Sequence, residues 1–170
     1  MNAGSGTPPT PGPANAPWLT AEQQQLATVI LNSHQRGFGS PLLASLPPGL
    51  PDLQQAQALF AAPRVVLAHD GGSDPKLIYA NAQALALWRC PWAAMVGMAS
   101  RLTAEAQERP GRAQMLAEAR SRQAISGYSG IRIDSAGRRF QIRGARLWTL
   151  WDRYGQAIGQ AASFSDWWWL

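Results

Sequence analysis

A chain of 170 residues, 46% of them hydrophobic, is long enough to bury one domain-sized core. No apolar run approaches the roughly 20 residues needed to span a bilayer, and no charged segment followed by an apolar run opens the chain, so the expectation is a cytoplasmic protein with no membrane partner. The single cysteine, Cys90, excludes an intramolecular disulfide and a cysteine zinc site.

The net charge of +5 is uneven. Residues 1–85 carry −1 and the remainder +6, and 14 of the 15 basic residues are arginine. This excess is spread along the chain, and no helix clusters its arginines, which argues against specific nucleic-acid recognition. Eight tryptophans are many for this length. Most fall in segments read below as helix or strand, where a ring can be apolar at one end and wet at the other.

In chain order, residues 1–17 are Pro, Gly, Ala, Ser, Thr and Asn with little else, and read as a disordered tail. Thr20 with Gln23 forms a capping box. The helix behind it carries the apolar stripe Leu26, Val29 and Ile30 and stops at Gly37 and Gly39. Pro41, Pro47, Pro48 and Pro51 mark a connector, so residues 18–51 read as an N-terminal helix plus linker and 52–170 as the core. Asp52 opens a short helix with Leu53, Ala56, Leu59 and Phe60 on its apolar face.

The run 64–69 is β-branched and predicts a strand. Asp70-Gly71-Gly72-Ser73 is a turn by composition, and 76–80 is a second strand. Asn81 caps a helix ending near Trp88, and a second short helix is stopped by Gly97. As a cap alone, Asn81 is worth about 1 kcal/mol. After irregular chain over 99–107, Pro110 starts a helix reaching about Gln123, with Glu118 and Arg122 one turn apart. The last third is strand: 128–134, 138–151 and 157–167, joined by glycine-bearing turns.

This order predicts an α+β fold: a five-stranded antiparallel sheet with short helices on one face and an N-terminal helix. Alternation puts Ile131, Ile133, Phe140 and Ile142 on one side, and Arg132, Arg139, Gln141 and Arg143 on the other. Beyond a bulge at Gly144, Leu147, Thr149 and Trp151 share one face and Arg146, Trp148 and Leu150 the other.

The motifs Ile78-Tyr79-Ala80-Asn81, Leu85-Ala86-Leu87-Trp88 and Ser100-Arg101-Leu102-Thr103-Ala104-Glu105 resemble the MEKHLA domain, a PAS-like family. So do Tyr128–Ile133 with Gly137-Arg138-Arg139-Phe140, Leu147-Trp148-Thr149-Leu150, and Gly159-Gln160-Ala161-Ala162. The resemblance covers about residues 25–168. It implies a PAS-like regulatory module that senses a small ligand or mediates protein–protein interaction. In plants the family stands behind a homeodomain and a leucine zipper. Neither is seen here, so a DNA-binding role does not carry over.

The residues expected to line a pocket are Tyr79, Asn81, Leu85, Trp88, Met95, Arg101, Tyr128, Phe140 and Trp151, with Trp148 as the alternative to Trp151. Asn81, Arg101 and Tyr128 are the polar members. Leu26, Val29, Ile30, Trp148 and Leu150 are expected to form a docking face between the N-terminal helix and a sheet, its own or a partner's. A homodimer, another protein and a small molecule stay open as partners.

No metal cluster, phosphate loop or nucleophile arrangement is visible, and the Asp residues sit in turns and caps. The expectation is therefore a non-enzyme, with no assigned cofactor. Alternatives on the same scaffold are a small enzyme, or a weak nucleic-acid binder using the arginine-rich sheet. Cys90 lacks the motif of the flavin-reactive cysteine in light-sensing PAS domains. Neither His34 nor His69 lies on the later helix where a haem ligand would stand.

Overall fold

A computed structural model describes residues 15–170. Of the tail expected over 1–17, residues 1–14 lie outside the described residues. The rest is already structured. Ala16 is buried and Pro17–Leu19 is a 3-10 turn. Trp18 holds it there by stacking on Phe60, with ring centroids 3.9 Å apart and planes 3° from parallel.

Helix α1 (Ala21–Phe38) starts where Thr20 accepts the Gln23 N–H and stops at Gly39, whose φ of 68° is the left-handed C-cap. Helix α2 (Asp52–Phe60) follows the connector. Strands β1 (Val65–Asp70) and β2 (Leu77–Ala80) lead into helices α3 (Ala82–Trp88) and α4 (Trp92–Met95). Two 3-10 turns precede helix α5 (Arg109–Arg122). Strands β3 (Ala124–Ile133), β4 (Arg139–Trp151) and β5 (Ala157–Phe164) complete the antiparallel sheet, in the order β2-β1-β5-β4-β3. A sixth strand, β6 (Asp166–Trp169), was expected as the end of the fifth. It continues past Ser165 and pairs with the first half of β4, whereas β5 pairs with the second half.

Helices cover both faces of this sheet, the short helices α3–α5 on one and α1, joined by α2, on the other. On the inner face, Leu87 and Trp88 of α3, Met95 of α4 and Leu116 and Ala119 of α5 bury Phe140, Ile142 and Leu147 of β4. On the outer face, Ile30 of α1 and Leu59 of α2 cover Val66, Tyr79, Trp148 and Leu150. Helix α2 therefore sits beside α1 and not with α3–α5. Gly144, at φ 68°, carries the predicted bulge and shifts β4 so that 140 and 142, then 145 and 147, face inward.

The junction between β2 and α3 is held by one side chain. Asn81 is 0% exposed. Its Oδ1 accepts the N–H of Ala84 at 3.1 Å, the helix cap, and that of Val66 at 3.0 Å, on β1. Its Nδ2 donates to the carbonyls of Arg64 at 2.7 Å and Leu59 at 3.3 Å. A helix, a strand and the end of α2 thus meet on one amide.

The N-terminal helix docks on the chain's own sheet. Trp148, fully buried, donates its indole N–H to the carbonyl of Ile30 at 3.2 Å, and Ser33 Oγ accepts the N–H of Trp151 at 2.9 Å. Ile30, Trp148 and Leu150 are each 0% exposed, so these three residues are spent inside the protein and offer no face to a partner.

Two outcomes test this architecture. Asn81→Ala removes the cap and also strands buried backbone groups on β1 and α2, at about 1–3 kcal/mol each. It is expected to cost about 3 kcal/mol in urea melts, well above a simple cap deletion; a loss near 1 kcal/mol would show that only the cap matters. A chain starting at residue 40 uncovers Trp148 and Leu150, each worth about 1.5–3 kcal/mol of burial. Its melting temperature is expected to fall or its mass in light scattering to rise; no change in either would contradict the docking described here.

Candidate functional site

Between the inner sheet face and α5 lies a cavity of about 60 Å³. Its floor is β1, β4 and β5, through Leu67, Leu147 and Ala162. Its cover is Arg112, Met115 and Leu116 of α5. Trp88, Tyr128 and Arg132 close the sides, and His69 and Gln160 bring polar groups into the wall.

Of the residues expected to line a pocket, the structure brings Trp88 and Tyr128 to this cavity. Leu85, Met95 and Phe140 belong to the same inner core but not to the cavity wall. Asn81 has its hydrogen-bonding groups committed to the backbone, as described. Arg101 is exposed and pairs with Asp74 at 3.2 Å. Tyr79 is on the outer face, edge-on to Trp92 at 5.8 Å. A register shift against β1 leaves Ile78 without a partner, and Ile78 and Tyr79 both turn toward α1 and α2. Trp151 also leaves the inner face. A register shift between Leu150 and Trp151 sets it beside α1, where the Arg36 guanidinium lies 4.0 Å from its ring centre. Trp148, the alternative, lies under α1. Leu26 and Val29 are partly buried and line an open groove between α1 and the β4–β5 turn.

Four cavity residues were missed as site residues: His69, Arg112, Arg132 and Gln160. Arg132 was expected opposite Phe140. The register pairs the two directly, so they share the inner face, and Ile131 pairs with Gln141 on the other. The register is unbroken from Gly130 to Ile133, so the even-numbered residues of both strands face inward there; the two shifts lie between Ile125 and Gly130. Gly130 leaves room for the Tyr128 hydroxyl, which a Cβ there would meet. Arg132 is 6% exposed and donates to that hydroxyl at 3.1 Å and to the Ile131 carbonyl at 2.8 Å. Gln160 had a visible signal: it is the one polar side chain in the run 157–162.

The partners fix the chemistry of each polar group. His69 Nδ1 is 2.7 Å from the Asp70 carbonyl, which can only accept. The ring proton therefore sits on Nδ1, and Nε2 is a bare acceptor with no partner among the described residues. Gln160 Nε2 donates to the Leu116 carbonyl at 3.1 Å, which leaves Oε1 unpartnered. The Trp88 indole N–H is likewise unpartnered. Arg112 donates to Ser100 Oγ at 3.0 Å. Burial, with the like charge of Arg132, pushes the Arg112 guanidinium down to about 10. No carboxylate lines the cavity.

Elsewhere, His34 is fully buried. It donates from Nδ1 to the Ser40 carbonyl at 2.9 Å and accepts at Nε2 from Arg146 at 3.2 Å. Burial pushes the Cys90 thiol up, away from a reactive thiolate. Among the described residues no cluster of His, Cys, Asp or Glu could hold a metal ion, and no helix is long and apolar enough to cross a membrane.

An antiparallel sheet in the order 2-1-5-4-3, with short helices over its inner face, defines the PAS-like class. Solved structures agree at the level of the fold. The PAS domain of a protein from Colwellia psychrerythraea is similar with TM-score 0.58 and 12% identity, over 65% of this chain and 91% of that one. An RNA-binding light-oxygen-voltage receptor gives TM-score 0.60 and 17% identity, over 73% of this chain and 35% of that one. The light-oxygen-voltage domain of the photoreceptor Aureochrome1 gives 0.53 and 18%, over 71% and 88%. No curated protein sequence matches the chain. The MEKHLA domain profile matches residues 24–169, so the chain belongs to the MEKHLA domain family.

The two histidines make stability depend on pH. Burial is the first cause lowering both, ahead of Arg112 and Arg120 at His69 and of Arg146 and Arg64 at His34. The backbone hydrogen bonds, and at His69 the Asp70 charge, pull the other way. Below 6.5 the unfolded chain takes up protons that the folded one refuses, so stability falls as pH drops through 6.5. The limit is about 1.4 kcal/mol per pH unit for each histidine. Urea melts at pH 7.5 and 5.5 are expected to show this loss, and His34→Gln with His69→Gln to flatten it. A flat wild-type profile would mean that neither ring is held neutral.

Proposed function

We propose that this chain is a regulatory sensor module whose ligand is a small molecule held in the cavity beneath α5. The observation that carries this reading is the group of unpartnered polar atoms in the cavity wall. Buried polar groups in proteins are nearly always hydrogen-bonded, and exceptions of this kind are grouped where something else supplies the partner. Of the buried side-chain polar atoms without a partner among the described residues, Trp88 Nε1, His69 Nε2 and Gln160 Oε1 belong to residues that line this one cavity, while Gln23 Oε1, Tyr79 Oη and Thr149 Oγ1 lie apart from it.

The role proposed is not catalytic. The cavity holds one neutral histidine, two arginines and a tyrosine, with no carboxylate or thiol for general acid–base or nucleophilic work. Large prosthetic groups do not fit. About 60 Å³ is far below the size of a flavin ring system or a haem, and Cys90 is not in the wall. A second reading, a docking module for another protein, rests on the exposed Trp168, Trp169 and Leu170 at the end of β6.

Native mass spectrometry of the protein purified from its own cells tests the first reading. The expected result is a stoichiometric adduct of low mass that is lost on denaturation. A bare-chain mass, together with no change in melting temperature across a library of small metabolites, would leave the docking reading in its place.

A further inference from the structure

The unpartnered groups in the cavity differ in sign, and that difference specifies a ligand. The acceptors are His69 Nε2, on a residue 7% exposed, and Gln160 Oε1, on a residue 3% exposed. The two residues are direct partners across β1 and β5, so both lone pairs belong to one end of the cavity. The neutral His69 ring and Gln160 cannot switch to donors without losing their other bonds, to the Asp70 and Leu116 carbonyls, and burial disfavours the imidazolium that would donate from both nitrogens. A ligand must therefore present a hydrogen to them.

The donors are the Trp88 indole N–H and the guanidinium groups of Arg112 and Arg132. Of the five N–H groups on each arginine, Arg112 uses one and Arg132 two in hydrogen bonds to protein. Two like charges at one cavity with no carboxylate beside them are an unbalanced arrangement, and an anion corrects it. Apart from Thr103 and Tyr128 the rest of the wall is apolar, with Leu67, Leu77, Met115, Leu147 and Phe164 among its members. An inorganic anion without a hydroxyl, such as sulfate, would leave both the acceptors and this apolar wall unused. An engineered cavity of about 150 Å³ holds benzene. This one is less than half that volume, so its ligand is smaller.

We propose that the cavity binds a short hydroxycarboxylate, with its carboxylate on Arg112, Arg132 and Trp88 and its hydroxyl donating its one hydrogen to the His69–Gln160 end, at His69 Nε2 or Gln160 Oε1. The inference rests on the sensor reading above and narrows its ligand to one chemical class.

Titration of uniformly 15N-labelled full-length protein with glycolate tests it, read at the Trp88 indole resonance, which Trp88→Phe assigns. Glycolamide removes the charge, acetate removes the hydroxyl, and inorganic sulfate, which has no hydrogen to donate near pH 7, keeps only a charge. The expected result is a shift of the Trp88 signal by glycolate or lactate, with at least ten-fold weaker binding of glycolamide and of acetate. Arg112→Gln and Arg132→Gln are each expected to weaken glycolate at least ten-fold while keeping the wild-type circular dichroism. The proposal is overturned by equal binding of glycolamide, by equal binding of acetate, or by sulfate binding as tightly as glycolate. Because those comparisons use the wild-type chain, they hold even where a variant fails to fold. If no hydroxycarboxylate binds, the proposal also falls. Ethylene glycol or xenon then separates the two levels: binding of either keeps the cavity as a ligand site with a neutral occupant, and binding of neither removes the sensor reading too.

Discussion

The amide of Asn81 is the constraint on which the rest of the fold depends. It lies at the point where the chain leaves β2 and must turn into α3, and it is the one side chain that binds α3, β1 and the end of α2 together. Its backbone N–H also donates to the Val66 carbonyl, so β1 is held on both sides of the same residue. An aspartate could cap the helix but could not donate to Arg64 and Leu59. A serine could not reach both strand and helix. The amide is the group that offers two acceptor sites and two donors at this length.

With that corner set, the sheet is left with two apolar faces, and the chain covers each with different helices. Tryptophan does much of the covering. Trp88 meets Phe140 edge-on at 5.1 Å on the inner face, and Trp148 meets His34 edge-on at 4.9 Å on the outer. The arginine excess is distributed over aromatic rings as well. Arg36 lies over Trp151 and Arg138 over Trp169, each at 4.0 Å, so the stems of these cations complete the surface of the sheet.

The sequence made the order of elements legible because each boundary carries a local chemical mark: the Thr20 and Asn81 caps, Pro110, Gly39, and the glycine-bearing turns. It made the faces less legible. Side-chain alternation tells which residues share a side only while the register holds, and this sheet breaks register beside Ile78, around Tyr128 and at Trp151. The breaks beside Ile78 and at Trp151 took Tyr79 and Trp151 out of the pocket. Arg132 came in for a different reason, because the hairpin register pairs it with Phe140. Gly144 was visible as a bulge because a glycine marks it; the shift beside Ile78 has no glycine to announce it. His69 and Gln160 were hidden for another reason. Their pairing across β1 and β5, which brings them to one cavity, is a long-range fact that no local pattern contains.

The sheet that separates the cavity from α1 is a single residue thick. Gln160 faces the cavity, and the next residue, Ala161, is in the outer core; Thr149 stands between Trp148 and Leu150, both beneath α1. The two compartments therefore share a diaphragm and not merely a boundary. β5 is pressed closely at this point, since a Cβ on Gly159 would run into the His69 carbonyl oxygen. With no slack between β1 and β5, a displacement of Gln160 cannot be absorbed within the layer. Under the sensor reading proposed above, ligand contact at Gln160 would reach the seat of α1 through this one layer. The residues that would carry the signal are the same ones that hold the scaffold, and no hinge is needed to connect them.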